Sequence, residues 1–125
     1  MNAFRAAIEA RDIESIRPLL ADDVEFRSPI VHKPYRGPDA VLLLLHAVSE
    51  VFEDFSYARE IGAPGAHDHA LVFRARIGDR EVEGCDFLHT DEDGLIDELV
   101  VMVRPLSGAN ALRDAMAAKL AAAQG

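Results

Sequence analysis

A chain of 125 residues has room for one domain, 1–125, and its composition, 50% hydrophobic and 28% charged, is that of a folded globular protein rather than a disordered one. A net charge of −9 with no lysine or arginine cluster argues against nucleic acid or an anionic membrane as a partner, because phosphate binding needs a basic patch. The single cysteine, Cys85, rules out an intrachain disulfide; Met1-Asn2-Ala3-Phe4-Arg5 lacks the long apolar stretch of a signal peptide and the densest apolar run, Ala40 to Leu45, is too short for a bilayer span, so a soluble cytoplasmic protein is expected.

In chain order, Asn2 to Ala10 reads as a short amphipathic helix. Asp12 is placed to cap a second helix through Ile13, Ile16, Leu19 and Leu20, which Pro18 must kink or end early because it removes a backbone donor. Val24 to Arg27 alternates as a short strand, and Pro29 and Pro34 hold the loop Ser28 to Gly37 extended. Pro38 suits the first position of a third helix running to about Phe52, whose stretch Val41 to Leu45 is apolar nearly all round and must be packed on several sides. Phe55 to Ile61 is expected as a strand with Phe55, Tyr57 and Ile61 on one face, ahead of the turn Gly62-Ala63-Pro64-Gly65.

The segment Leu71 to Thr90 specifies its own pairing. Ile77-Gly78-Asp79-Arg80 is a two-residue hairpin turn between alternating runs. Setting Ile77 opposite Arg80 puts Arg76 opposite Glu81, Arg74 opposite Glu83, Phe73 opposite Gly84 and Leu71 opposite Asp86. One face then carries two opposite-charge pairs, and the other carries Leu71, Phe73, Ala75, Val82, Gly84, Asp86 and Leu88. A slip of one residue would invert every side chain, so the charge pairs support this register. Asp91-Glu92-Asp93-Gly94 turns the chain into a last strand, Leu95 to Arg104, with Leu99, Val101 and Val103 on one face as an apolar wall. An Ala-rich terminal helix follows Ser107-Gly108, with Leu112, Met116 and Leu120 four residues apart. The order α-α-β-α-β-β-β-β-α implies an α+β fold, one curved antiparallel sheet with helices on its concave side, closing over a conical pocket.

Asp86 is then an acid among hydrocarbons. Ionised there and unpaired it would cost several kcal/mol, so it must find donors, stay protonated or line a cavity. Both a pocket-lining and a catalytic role are open to such a group. His46 falls among Leu and Val on the third helix, as a core or helix-edge histidine, and Tyr57 either gives the pocket a hydroxyl or packs. Cys85 shares the outward parity of Phe87, which fits an interface beside Val72 better than a nucleophile. His67-Asp68-His69 lacks a third ligand, and Asp91 and Asp93 with Gly94 lack the other positions of a calcium loop, so no metal is expected. With no Rossmann or P-loop glycine pattern and no Gly-x-Ser-x-Gly elbow, no cofactor is expected either.

The stretch from Asp12-Ile13-Glu14 through Leu20-Ala21-Asp22-Asp23-Val24, the loop Tyr35-Arg36-Gly37, and Asp86 through Asp91-Glu92-Asp93-Gly94 resemble the nuclear transport factor 2-like superfamily, most closely its SnoaL-like branch, over nearly the whole chain. The resemblance implies a cone-shaped α+β fold that forms homodimers through the sheet's outer face. It also implies a range of roles: polyketide cyclases, ketosteroid isomerases, dehydratases and epoxide hydrolases, beside members that only bind ligands or partners. Ketosteroid isomerases carry a tyrosine, a general-base aspartate and an acidic aspartate at positions that look like Phe4, Ser28 and Asp86 here. Phe4 cannot donate to an oxyanion and Ser28 has no basic group, so that mechanism is not expected. The counterpart of Asp86 is kept neutral by an apolar site so that it can donate a hydrogen bond, the state its derived surroundings favour.

By the same resemblance His32 and Tyr35 fall on the pocket rim, where either could supply a base or hydroxyl or simply belong to a surface loop. The candidate catalytic residues are therefore Asp86 and His32. The expected pocket lining is Phe4, Ser28, Tyr35, Tyr57, Phe73, Leu88, Leu99, Val101 and Val103. Two functions follow: a cofactor-free isomerase, cyclase or dehydratase that uses Asp86 as general acid on a small, largely apolar molecule, or a non-catalytic ligand-binding or dimeric interaction module.

Overall fold

The computed structural model describes residues 2–124. Helix α1 (Asn2–Ala10) ends where Arg11 turns left-handed, with φ 58°, and a 3-10 helix takes Ile13–Leu19. The sequence pattern suggests a helix through Leu20 that Pro18 kinks or ends early, and the structure has the tighter 3-10 form, ending at Leu19. Pro18 cannot donate, and the tighter helix buries Ile13 and Ile16 at its own spacing of three. Strand β1 (Leu20–Arg27) starts four residues ahead of the Val24 expected, because a register shift between Leu20 and Glu25 leaves Asp22 and Asp23 outside and interrupts the alternation. The proline-held loop contains a two-residue strand, β2 (Tyr35–Arg36), paired with Phe26 and Glu25.

Helix α2 (Pro38–Val51) buries Val41, Leu42, Leu44, Leu45 and Ala47. Strands β3 (Glu53–Ile61), β4 (Asp68–Ile77), β5 (Arg80–Thr90) and β6 (Ile96–Arg104) follow, and α3 (Leu106–Gln124) ends the chain. The sheet order is β2-β1-β6-β5-β4-β3. Its pairs are antiparallel as expected except β1 with β6, which run parallel because the chain leaves β1 through α2 to the far edge and returns by the meander β3 to β6.

The β4–β5 register is the one expected, from Ile77 opposite Arg80 to Leu71 opposite Asp86. Of the two charge pairs, Arg74–Glu83 forms at 3.3 Å. Arg76 instead turns to β3, with Glu53 at 2.7 Å and Asp54 at 3.0 Å, because Glu53 stands opposite it on the other flank. In β3 a register shift between Tyr57 and Arg59 separates Ile61 from the face of Phe55 and Tyr57 and leaves it 55% exposed.

Two apolar clusters hold the layers together. The larger joins Phe4, Ile16, Val24, Val41, Leu42, Leu88 and Leu99 between the sheet, α1 and α2. The smaller joins Phe52, Phe73, Ala75, Val82 and Leu112 under the start of α3. Gly84 permits the second: a Cβ there would fall 2.3 Å from Cζ of Phe73 and 2.7 Å from the Met102 carbonyl, so the ring fills the space a side chain would take.

Candidate functional site

Between the inner face of the sheet and the three α-helices lies a cavity of about 600 Å³. Its level in the fold follows from the strand registers. Across the sheet, Leu71, Asp86 and Val101 stand in one row. The neighbouring row, Leu88 with Leu99, is fully covered by the larger cluster, and on the other side Phe73 closes over Gly84 and Val103. Asp86 and Val101 are thus left to face open space.

Of the expected lining, Phe4, Ser28, Tyr35, Tyr57, Phe73 and Val101 surround this cavity with Asp86, whereas Leu88, Leu99 and Val103 do not. Their parity is inward, but the first two lie deeper, under the helices, and Val103 packs against the Phe73 cluster. His32 is exposed on the loop and does not reach the cavity, because the turn beginning at Ser28 carries it outward. Ser28 Oγ accepts hydrogen bonds from the amides of Ile30 at 3.2 Å and Val31 at 2.8 Å, so its hydroxyl oxygen is engaged in shaping the loop. His46 sits at the helix edge, 3.2 Å from Glu14. Nδ1 of His67 is 2.9 Å from the Thr90 carbonyl and Nε2 of His69 is 2.8 Å from that of Ala66, so the two rings serve separate loop contacts. Burial, and the nearby charge of Asp86, push the Cys85 thiol up, which opposes thiolate chemistry.

The polar centre is a pair. The Tyr57 hydroxyl donates to Oδ2 of Asp86 at 3.2 Å. Asp86 is 8% exposed, and burial among hydrocarbons pushes its carboxyl up to about 7, with the Tyr57 hydrogen bond pulling the other way. Burial, then the charge of Asp86, hold the Tyr57 phenol far above its ordinary range, so it acts as a neutral donor. Aromatic contacts fix its ring: Phe55 meets it edge-on at 5.0 Å and stacks in turn on Phe73 at 5.1 Å, and the Arg5 guanidinium stands 5.4 Å from the Tyr57 centroid. Charged side chains, among them Arg11, Glu50, Glu53, Asp54 and Arg113, are exposed and border the cavity from outside. Arg11 hydrogen-bonds the Ser49 carbonyl and ties the end of α1 to α2.

Apart from Phe4 of α1, sequence reasoning missed the helical side of this wall, including Val48 from α2 and Leu112, Met116 and Leu120 from α3. The spacing of four along α3 was visible, but nothing local says which space the stripe faces.

A curved, unclosed sheet with helices packed on its inner face defines the nuclear transport factor 2-like, or cystatin-like, class of α+β proteins. Within it, the chain belongs to the SnoaL-like domain family, whose model matches residues 1–99. It is similar to the crystal structure of a steroid delta-isomerase from Pseudomonas aeruginosa, with 41% identity and a TM-score of 0.92 over 97% of this chain and 88% of that one. A protein from Silicibacter pomeroyi DSS-3, described as having a cystatin-like fold, is 36% identical with a TM-score of 0.89 over 94% of this chain and 82% of its own. An NTF2-like protein of unknown function from Mesorhizobium loti, 17% identical with a TM-score of 0.73 over 84% and 88%, shares the fold. No curated protein matches the chain. Among the described residues no helix is long and apolar enough to cross a membrane.

Proposed function

We propose that this protein is a cofactor-free acid–base enzyme, an isomerase, cyclase or dehydratase, acting on a small and largely apolar molecule that carries a carbonyl. One observation carries the reading: a carboxyl held near 7 in the wall of an apolar cavity, beside a neutral tyrosine hydroxyl. Neutral Asp86 donates its proton to the carbonyl oxygen. The carboxylate so formed then removes a proton from the adjacent carbon, leaving an enol and restoring neutral Asp86. In a β,γ-unsaturated ketone, protonation of the dienol at its far carbon and return of the oxygen-bound proton complete a shift of the double bond, with no net change in protons.

Isomerisation is the first member of this class to test, since the Pseudomonas aeruginosa protein is called a steroid delta-isomerase. The route differs from the three-residue mechanism, because Phe4 and Ser28 stand at the cavity where a donor and a base would be needed. The test is conversion of β,γ-unsaturated cyclic ketones, from one ring to steroid size, to their conjugated isomers, followed by the new ultraviolet absorbance. Turnover by the wild type that disappears in Asp86→Asn supports the assignment. Equal turnover by the variant removes Asp86 from the mechanism, and no turnover of any member by the wild type rejects this reaction.

We also propose a homodimer through the outer face of the sheet. Val72, Cys85 and Met102 form one cross-strand row there, and Ala70, Phe87 and Val100 the next. Phe87 is 42% and Met102 57% exposed, two large apolar side chains on adjacent rows of a face that a second copy of the sheet would cover. Sedimentation at micromolar concentration should show a dimer that the double variant Phe87→Glu, Met102→Glu converts to monomer; a monomeric wild type would overturn the proposal.

A further inference from the structure

The matching SnoaL-like model ends at residue 99, inside β6, so α3 lies wholly beyond it. Even so, α3 supplies Leu112, Met116 and Leu120 to the wall of the cavity that holds Asp86. The two structures at 41% and 36% identity span 97% and 94% of this chain, too much to leave out a helix of 19 residues. Most of the helix is therefore shared with these two proteins, although it lies beyond the stretch that the family model matches.

Its seating is uneven along its length. Near its start Gly108 passes so close to β5 that a Cβ would lie 2.5 Å from Cγ1 of Val82, and one turn on Leu112 is buried in the Phe73 cluster. Further along, Met116 and Leu120 are only partly buried, packed against the larger cluster and bordering the cavity. Lys119 reaches Glu50 of α2 at 2.7 Å, but both side chains are exposed, and such surface pairs hold weakly. Met116 touches both clusters, at the junction between the firmly seated start and the lightly held remainder. An unbranched thioether with several rotatable bonds is the side chain best able to adapt to ligands of different length.

We propose that α3 is the specificity wall of this cavity and that Met116 sets how large a fused-ring ligand it admits. The inference rests on the cavity being the ligand site, as proposed above, and adds the element that decides ring count. An oxygen of the ligand is held at the Asp86–Tyr57 pair, and the apolar ring system extends until it meets α3.

The test uses phenol, 2-naphthol and 2-phenanthrol, a series of one, two and three fused rings with one hydroxyl each, titrated against the wild type, Met116→Ala and Met116→Trp by calorimetry. Met116→Trp is expected to weaken 2-phenanthrol more than tenfold and leave phenol within about twofold, and Met116→Ala to strengthen 2-phenanthrol relative to phenol. Equal factors for all three probes, or no change, would overturn the proposal. A readout without ligand accompanies it: carbon NMR titration of Asp86 should move down toward the ordinary carboxylate range in Met116→Ala, as water gains entry. An unmoved titration overturns the wall. If no probe binds the wild type yet the titration moves, α3 stands as the wall and the ligand reading fails; if probes bind and neither readout responds, the reverse holds.

Discussion

Replacing Asp86 by leucine is expected to stabilise the protein, by an amount that grows between pH 4 and pH 7 and is level above it. The carboxyl of the folded chain sits at about 7, raised from an ordinary 3.8 by burial. Between these values the folded state keeps a proton that the unfolded chain gives up, so folding stability falls as pH rises through the window, by about 1.4 kcal/mol for each pH unit. Below the window both states are protonated, and above it both are ionised. The Tyr57 hydrogen bond offsets part of the cost of charge, so a few kcal/mol is the scale by pH 8. His89, raised by its hydrogen bond to Asp97, also loses stabilisation as pH climbs, whereas the lowered carboxyls of Glu14 and Glu50 act in the opposite sense at acid pH. Those contributions cancel in the difference between wild type and variant. Thermal melts at several pH values, with Asp86→Asn as the uncharged control of similar shape, read the effect directly. A difference that does not change with pH would show that Asp86 is not a buried acid near 7.

The same residue shows how far the sequence could be read. The hairpin turn and one cross-strand charge pair suffice to put Asp86 opposite Leu71 and inward, since the pleat leaves only two choices of face and the turn selects one. Position along the strand axis is another matter. Leu88, Leu99 and Val103 have the right parity, yet only helices from distant parts of the chain decide which rows are covered and which face the cavity. Tyr57 shares that limit: its inward parity is local, but its bond to Asp86 crosses from β3 to β5 and depends on where β4 sets each strand. Ile61 departs from its local parity for the opposite reason, because a shift of register after Tyr57 leaves no mark in composition. Arg76 found Glu53 and Asp54 in place of Glu81 because an inner strand has two neighbours, and a hairpin considered alone has one.

These placements also bear on why an acid persists in the wall. An apolar residue at position 86 would pack well between Leu71 and Val101 and avoid the desolvation cost. The surrounding aromatic contacts hold Tyr57 where its hydroxyl meets one carboxylate oxygen, and they leave the pair at the edge of open space rather than inside the packed clusters. A carboxyl that served packing alone would gain nothing from that position. The proton donor proposed for Asp86 would need it, since a reacting oxygen must come within about 3 Å of the acid.

Catalysis by neutral Asp86 predicts both the size and the pH course of the loss on substitution. Asp86→Asn keeps the shape of the side chain but has no acidic proton, so kcat should fall by roughly a hundredfold to ten-thousandfold, the usual worth of a positioned acid or base. In the wild type, kcat/KM should be level in mild acid and fall tenfold per pH unit above about 7, where Asp86 ionises. Tyr57→Phe supplies the second arm. Its hydroxyl donates to Asp86 and favours the ionised form, so removing it should carry the carboxyl higher and move the descending limb of the profile to higher pH while leaving the acid in place. A limb that stays put in Tyr57→Phe would mean that another group titrates there. One that moves to lower pH would mean that the hydroxyl had been excluding water from Asp86 rather than donating to it, and the pair would then owe its chemistry to packing instead of hydrogen bonding.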